Sequence, residues 1–261
     1  MRLAVIGHPI AHSLSPVLHE QWLRASGLFG RYEALDVTPD ELADLFQQMR
    51  DGVWDGFNVT IPYKEAVIPY LDELDQAAEA AGAVNTVYKR DGKLIGTNTD
   101  GAGLVAALDR WTDWTGHVLV IGAGGAARGI ISALPTRDVT VTNRTMERAE
   151  RLADAFGIEA QALTDVEIAR YDVIIQTTSV GMDGVDSPRS LKGLRQNTVV
   201  CDIIYRPLVT PFLKEAAKAD AKIVNGTAMF VGQGALAFEY WTGVRPDQLV
   251  GMKLIERLLE E

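Results

Sequence analysis

Residues 118–128, Val118-Leu119-Val120-Ile121-Gly122-Ala123-Gly124-Gly125-Ala126-Ala127-Arg128, constrain the fold more than any other stretch of the 261-residue chain. Four apolar residues in a row fit a strand covered on both faces, because a half-exposed strand alternates apolar and polar side chains. A tight glycine turn and the start of a helix follow. Gly122 permits the turn, Gly124 lets the backbone approach a pyrophosphate, and Ala127 takes the small-residue position where helix meets strand. Backbone amides from Gly122 through Ala123, Gly124, Gly125 and Ala126, together with the helix dipole, then face the phosphates. A bare glycine pattern would be weak; the flanking strand and helix give it weight.

About 20 residues beyond such a loop, chains that take NAD carry an acidic residue for the ribose 2′-hydroxyl. This chain has none there. The run Val139-Thr140-Val141-Thr142 ends in Asn143-Arg144-Thr145, with Arg148 one turn later. A carboxylate would repel a 2′-phosphate, whereas a guanidinium binds it through paired N–H donors and stacks on adenine. The expected cofactor is NADP(H). Thr145 also stands where it could cap a helix starting at Met146.

Strand-then-helix patterning continues through Met146 to Phe156, Val173 to Ile175, Val199 to Ile204 and Ile223 to Val224. The first hundred residues show βαβ punctuation of their own: Leu3 to Ile6, a helix from about Pro16, Tyr32 to Val37, a helix from about Asp40, Trp54 to Val59, a helical stretch from Lys64 to Leu71, and Ala83 to Lys89 joined to Lys93 to Gly96 through Arg90-Asp91-Gly92. A helix from about Gly101 to Arg110 leads to a change of character at 112–116. Helical patterns at Phe230 to Trp241 and Pro246 to Leu259 close the chain. Length and pattern together predict an α/β protein with two lobes.

Composition removes other classes. A net charge of -10, from 25 Lys and Arg against 35 Asp and Glu, argues against nucleic acid or an anionic membrane as partner. No apolar run approaches the ~18 residues of a membrane span, and the apolar start at Leu3 to Ile6 is short for a signal peptide, so a cytoplasmic location is expected. The single cysteine, Cys201, sits in an apolar run and reads as a buried strand thiol. His8, His12, His19 and His117 lack metal-ligand spacing, and no metal is expected. Ser13 and Ser15 lack the Gly-x-Ser-x-Gly context of a hydrolase nucleophile.

Four patches in the first lobe hold more polar chemistry than a core needs: Ser13-Leu14-Ser15-Pro16, Asn58-Val59-Thr60-Ile61-Pro62-Tyr63-Lys64, Gly82-Ala83-Val84-Asn85-Thr86 and Gly96-Thr97-Asn98-Thr99-Asp100. Singly each has an ordinary explanation. Ser15 before Pro16 looks like an N-cap with proline at the first helical position, Lys64 like a surface lysine, and Asn85 and Asp100 like turn or cap residues. Their order ahead of a dinucleotide fold changes the reading.

With these segments the sequence resembles the shikimate dehydrogenase family. Gly-Ala-Gly-Gly-Ala-Ala at 122–127, Asn143-Arg144-Thr145, Thr177-Thr178-Ser179-Val180-Gly181-Met182, Asp202-Ile203-Ile204-Tyr205-Arg206-Pro207 and Gly232-Gln233-Gly234-Ala235 carry the resemblance over nearly the whole chain. It implies a Rossmann-type NADP-binding domain over 102–235 and a discontinuous substrate/catalytic domain over 1–101 plus 236–261, with the active site in the cleft between them. It implies Lys64 and Asp100 as the catalytic pair, and Ser13, Ser15, Thr60, Asn85, Tyr205 and Gln233 as further substrate-binding residues. Thr178, Ser179, Ile203 and Gly226 would lie beside the nicotinamide. The implied reaction is the reversible, NADPH-dependent reduction of 3-dehydroshikimate to shikimate, a step towards chorismate and the aromatic amino acids. The implied partners are small molecules only, in a monomer or homodimer.

Residue chemistry agrees with these roles. Carbonyl reduction needs a proton donor beside the oxygen that gains charge as hydride arrives, and a lysine with a neighbouring carboxylate can supply it. Ser13, Ser15 and Tyr205 offer neutral donors to a carboxylate, and Asn85 and Gln233 can donate and accept together at ring hydroxyls. Alternatives are a quinate/shikimate or amino-shikimate dehydrogenase paralogue, and a non-catalytic regulator that binds NADPH or shikimate.

Overall fold

A computed structural model describes residues 1–136 and 138–260. The first half of the chain runs β1 (Arg2–Gly7), α1 (Ser15–Ala25), β2 (Arg31–Asp36), α2 (Leu42–Arg50), β3 (Gly56–Val59), β4 (Glu73–Leu74), α3 (Gln76–Ala81), β5 (Thr86–Arg90), β6 (Lys93–Thr97) and α4 (Asp100–Trp111). The second half runs β7 (Val118–Ile121), α5 (Gly125–Ala133), β8 (Val139–Thr142), α6 (Met146–Phe156), β9 (Glu159–Ala160), β10 (Val173–Gln176), β11 (Val199–Asp202), α7 (Pro211–Lys218), β12 (Lys222–Val224), α8 (Gly226–Thr242) and α9 (Gln248–Glu260).

Two six-stranded sheets result. The first has the order β2-β1-β3-β5-β6-β4, with β3, β5 and β6 antiparallel in sequence and the other pairs parallel. The second has the order β12-β11-β10-β7-β8-β9 and is parallel throughout. Counted from β7, that is the 3-2-1-4-5-6 order of a Rossmann fold, whose ligand crevice lies at the carboxyl ends of the strands where the order reverses. The reversal here falls between β7 and β10. The second sheet is covered on both faces, which is why β7, β10 and β11 read as largely unbroken apolar runs. Val118 and Val120 point into the core under α5, and Leu119 and Ile121 into the core under α7. Cys201 is wholly buried in β11, and burial pushes its thiol pKa up.

Helices join the lobes. α4 leaves the first sheet and packs on α5 and α8, and the expected domain limits at 101/102 and 235/236 fall inside α4 and α8. These crossings are close because they are lined by glycine: a Cβ at Gly101 would stand 2.1 Å from the Gly129 carbonyl oxygen, and one at Gly103 would stand 2.6 Å from the Gln233 amide nitrogen. Among the described residues no helix is long and apolar enough to cross a membrane.

The structure departs from the sequence reading in places. The expected helix from Lys64 to Leu71 is a series of turns ending in a 3-10 turn at Ile68–Tyr70. The carbonyl of Lys64, which a helix would pair with its own Ile68 amide, instead accepts the Val84 N–H at 2.7 Å, and Pro69 lacks a donor. Residues 83–85, expected in the strand from Ala83 to Lys89, form a loop before β5. Ser15 is not the N-cap of α1 but its first residue; Leu14 takes the cap position, and the Ser13 side chain accepts the Ser15 N–H at 3.2 Å. Thr145 is at the N-cap of α6 without a side-chain cap bond. α8 begins at Gly226, four residues ahead of the expected Phe230, because Asn225 caps it by accepting the Thr227 N–H.

Candidate active site

The turn after β3, the loop before β5 and the start of α4 converge on one buried cluster. Asp100 opens α4, its own N–H held by the Asn98 side chain at 3.1 Å. Lys64 comes from the turn after β3, and its ammonium donates to Asp100 Oδ2 although 36 positions separate them. The Lys64 and Asp100 side chains are 14% and 6% exposed, so the pair is screened from bulk water while the lysine keeps an outlet. The other carboxylate oxygen, Oδ1, accepts from Asn85 Nδ2 at 2.8 Å. The same amide reaches Thr99 Oγ1 at 2.9 Å and Gln233 Oε1 at 3.4 Å, and Asn85 Oδ1 accepts the Thr99 N–H at 2.8 Å. Gln233 arrives on α8 with its own Nε2 tied to the Phe230 carbonyl. Four of the residues singled out in the sequence therefore share one hydrogen-bond network. An ammonium has three N–H donors; Asp100 is the only partner of the Lys64 ammonium among the described residues.

Polar contacts continue away from this cluster. Thr86 Oγ1 donates to Asn85 Oδ1, Asn58 Nδ2 donates to Thr86 Oγ1 at 3.0 Å, and Tyr32 donates to Asn58 Oδ1 at 2.6 Å. The Tyr32 phenol also bonds the Ser15 side chain, and burial holds its pKa well above the ordinary value. Ser13 and Ser15 thus sit at one end of a polar chain whose other end is Lys64. Tyr205, from the loop after β11, packs on Phe230 with ring centroids 4.5 Å apart, and its hydroxyl bonds the backbone of Leu14, between the two serines. Thr60 stands at the end of β3, its N–H on the Ile6 carbonyl at 2.9 Å; its hydroxyl has no partner among the described residues. Asn58, Thr86, Thr99 and Tyr32 are site residues that the sequence reading did not single out. Three of them lie inside or beside quoted motifs; Tyr32, alone on β2, has no such signal.

On the other lobe the loop after β7 is built as its sequence requires. Gly122 has φ 119°, a conformation that L side chains rarely adopt, and a Cβ there would come within 2.3 Å of Thr177 Oγ1. Gly124 is exposed, and a Cβ on it would meet nothing within 4 Å, so open space faces the N-terminus of α5. Ala127 is wholly buried against the core. Gly125 turns towards the other lobe, where a Cβ would stand 3.3 Å from Cβ of Lys64. Asn143 donates to the Thr145 carbonyl at 3.0 Å, while Arg144 and Arg148 are exposed with no ion-pair or side-chain hydrogen-bond partner among the described residues.

Across the switch point, Gln176 accepts the Thr178 N–H and donates to the Thr178 and Val180 carbonyls, fixing the loop that carries Thr178 and Ser179. Ile203 donates its N–H to the Gln176 carbonyl, and Gly226 packs so closely that a Cβ on it would be 2.3 Å from the Ile203 oxygen. Asp202, buried at the end of β11, accepts from the Ile204 N–H at 3.0 Å and the Thr210 hydroxyl at 2.7 Å. Burial pushes its carboxyl pKa up to about 6.

The residues fit a phosphorylated dinucleotide on structural grounds: an open glycine cradle at a helix N-terminus at the switch point, with the exposed guanidinium groups of Arg144 and Arg148 beyond β8. Comparison with known proteins follows the same division. Residues 5–87 match the family described as shikimate dehydrogenase substrate binding domain, residues 107–205 match shikimate / quinate 5-dehydrogenase, and residues 226–256 match shikimate 5'-dehydrogenase C-terminal domain. A protein of an Exiguobacterium strain named shikimate dehydrogenase (NADP(+)) is 74% identical over 261 residues, covering 100% of both chains. One of the same name from Exiguobacterium sibiricum is 51% identical over 262 residues, again covering 100% of both. The structure of shikimate 5-dehydrogenase from Thermus thermophilus in complex with NADP(H) and shikimate superposes with a TM-score of 0.91 at 39% identity, covering 99% of each chain.

Proposed function

Since the chain belongs to the shikimate dehydrogenase family, we propose that it catalyses the reversible reduction of 3-dehydroshikimate to shikimate with NADPH. Residues 1–101 with 236–261 hold the substrate together with Tyr205 and Gln233 from the other lobe, residues 102–235 hold the cofactor, and the reaction takes place between them. The observation that carries this reading is the Lys64–Asp100 pair, buried in the Asn85 and Gln233 network and packed against Gly125 of the cofactor loop.

NADPH, when bound, supplies the hydride. Lys64 carries out the proton chemistry: its ammonium faces the substrate oxygen, opposes the charge that develops there and transfers the proton, and it recovers one from water in the next turnover. Asp100 fixes the direction of the ammonium and accepts from a ring hydroxyl. Asn85, Gln233 and Thr60 bond the remaining hydroxyls, and Ser13, Ser15 and Tyr205 donate to the carboxylate. Neutral donors keep that carboxylate bound without adding a cation next to Lys64. The amides of Gly122, Ala123, Gly124, Gly125 and Ala126 hold the pyrophosphate; Asn143, Arg144, Thr145 and Arg148 hold the 2′-phosphate; Thr178, Ser179, Ile203 and Gly226 line the nicotinamide side.

The test is the absorbance of reduced nicotinamide on mixing the purified protein with shikimate and NADP+. Turnover faster with shikimate than with quinate is expected. Turnover with quinate alone would make the protein a paralogue, and binding without absorbance change would make it a regulator. For the cofactor, Arg144→Asp is expected to lower kcat/KM for NADP+ about 10- to 100-fold, the range for losing a charge-assisted bond and adding a repulsion. Initial rates with NADP+ and NAD+ check this, and an unchanged ratio removes Arg144 from the phosphate site.

A further inference from the structure

α5 carries the cofactor loop at its first turn, and the residue immediately after that turn reaches the other lobe. Arg128 Nε donates to the carbonyl of Ala81, at the end of α3, at 2.6 Å. Its guanidinium packs against Gly82, which takes the left-handed conformation at φ 60°; a Cβ on Gly82 would be 2.6 Å from Arg128 Nη2. The guanidinium carbon also stands over the Phe156 ring, 5.9 Å from its centroid. Ala81 and Gly82 lead directly into the loop that builds the catalytic cluster. In that loop the Ala83 carbonyl accepts from Asn98 Nδ2, Val84 N–H holds the Lys64 carbonyl, and Asn85 holds Asp100. Gly129, next along α5, packs on Asn98: a Cβ there would stand 2.6 Å from Asn98 Oδ1.

We propose that Arg128 is a positioning residue that ties the cofactor helix to the Ala81–Asn85 loop, so that a pyrophosphate seated on the first turn of α5 fixes the Lys64–Asp100 pair in place. Arg128 acts through Ala81 and the backbone of the loop, not on substrate or cofactor directly. A guanidinium suits the task because its planar fork can bond a carbonyl while its face packs against a ring. The inference rests on reading the loop after β7 as an NADP(H) cradle.

Hydrogen–deuterium exchange on the full chain, with and without NADPH, tests it independently of turnover. In the native protein NADPH is expected to slow exchange both at 122–127 and at 83–85. In Arg128→Ala the protection at 122–127 stays and that at 83–85 is lost, while Arg128→Lys, which keeps a donor to Ala81, retains part of it. In steady-state assays Arg128→Ala is expected to lose kcat about 10- to 100-fold, the cost of a misplacement of up to about 1 Å, with NADPH affinity little changed. Dilute guanidinium is expected to restore part of that loss in Arg128→Ala only. Equal protection of 83–85 in Arg128→Ala and native protein overturns the coupling, as does a loss of NADPH affinity matching the loss of kcat. No protection at 122–127 in the native protein overturns the cofactor reading and the coupling with it.

Discussion

Lys64→Ala is expected to lower kcat by about 10²- to 10⁴-fold, the range that a positioned general acid–base contributes. The change in KM is expected to be smaller, the pattern for an interaction made mainly in the transition state. Lys64 meets Asp100 through its ammonium and Gly125 through its stem, so truncation removes the proton donor and the contact that places it. It also leaves the Asp100 carboxylate buried with Asn85 as its one side-chain donor among the described residues, and an uncompensated buried charge can cost about 3–5 kcal/mol. NADPH binding, measured by fluorescence, shows that the variant is folded before its rate is judged. A folded Lys64→Ala protein with unchanged kcat would exclude Lys64 from the chemistry.

Acid is expected to unfold the protein through His19. This ring is wholly buried, stacked on Tyr32 at 4.3 Å and edge-on to Trp22 at 5.2 Å, with Trp241 and Phe238 around it. Neither ring nitrogen has a hydrogen-bond partner among the described residues. Burial lowers its pKa from 6.5 to about 3. The folded state then binds fewer protons than the unfolded state between those values, so stability is full above pH 6.5 and falls as pH is lowered towards 3. A shift of that size is worth about 4 kcal/mol at pH 3 and about 3 kcal/mol at pH 4.5. His19→Phe keeps a stacking ring and removes the proton site. Urea denaturation of both proteins at pH 7 and pH 4.5 is expected to show the native protein losing about 3 kcal/mol more than the variant. Parallel losses would mean that His19 already has a partner, or water, in solution.

The cofactor lobe was legible because its signals are local. A strand, a glycine turn, a buried Ala127 and a basic end to β8 follow from a few adjacent residues, and the observed strand order agrees with the fold they predict. The substrate lobe was less so, because its decisive bonds join distant segments. Lys64 and Asp100 could be paired only through the family resemblance; nothing in the intervening residues brings them together. The stretch from Lys64 to Leu71 looked helical because the competing partner of the Lys64 carbonyl, Val84, belongs to another motif. α3, with six residues, is too short to show a helical period, although Asp75 at its start and Gly82 at its end are ordinary cap residues. Tyr32 reads as a core aromatic of β2, and only its hydroxyl, set between Ser15 and Asn58, makes it part of the site. Ser15 reads as a cap because serine before proline is usually one; it is the first residue of α1 instead, with its side chain beside the Tyr32 phenol.

The glycine-lined crossings of α4 with α5 and α8 bear on how such a chain can diverge. Backbone lies against backbone there, so positions 101 and 103 have no room for a methyl group, even though neither residue carries a functional group. Randomising Gly101, Gly103, Arg144 and Arg148 together and selecting only for soluble, folded protein is therefore expected to return glycine at the first two and a broad spectrum at the two arginines. Drift in cofactor preference is open to this scaffold, while drift in the angle between its lobes is closed.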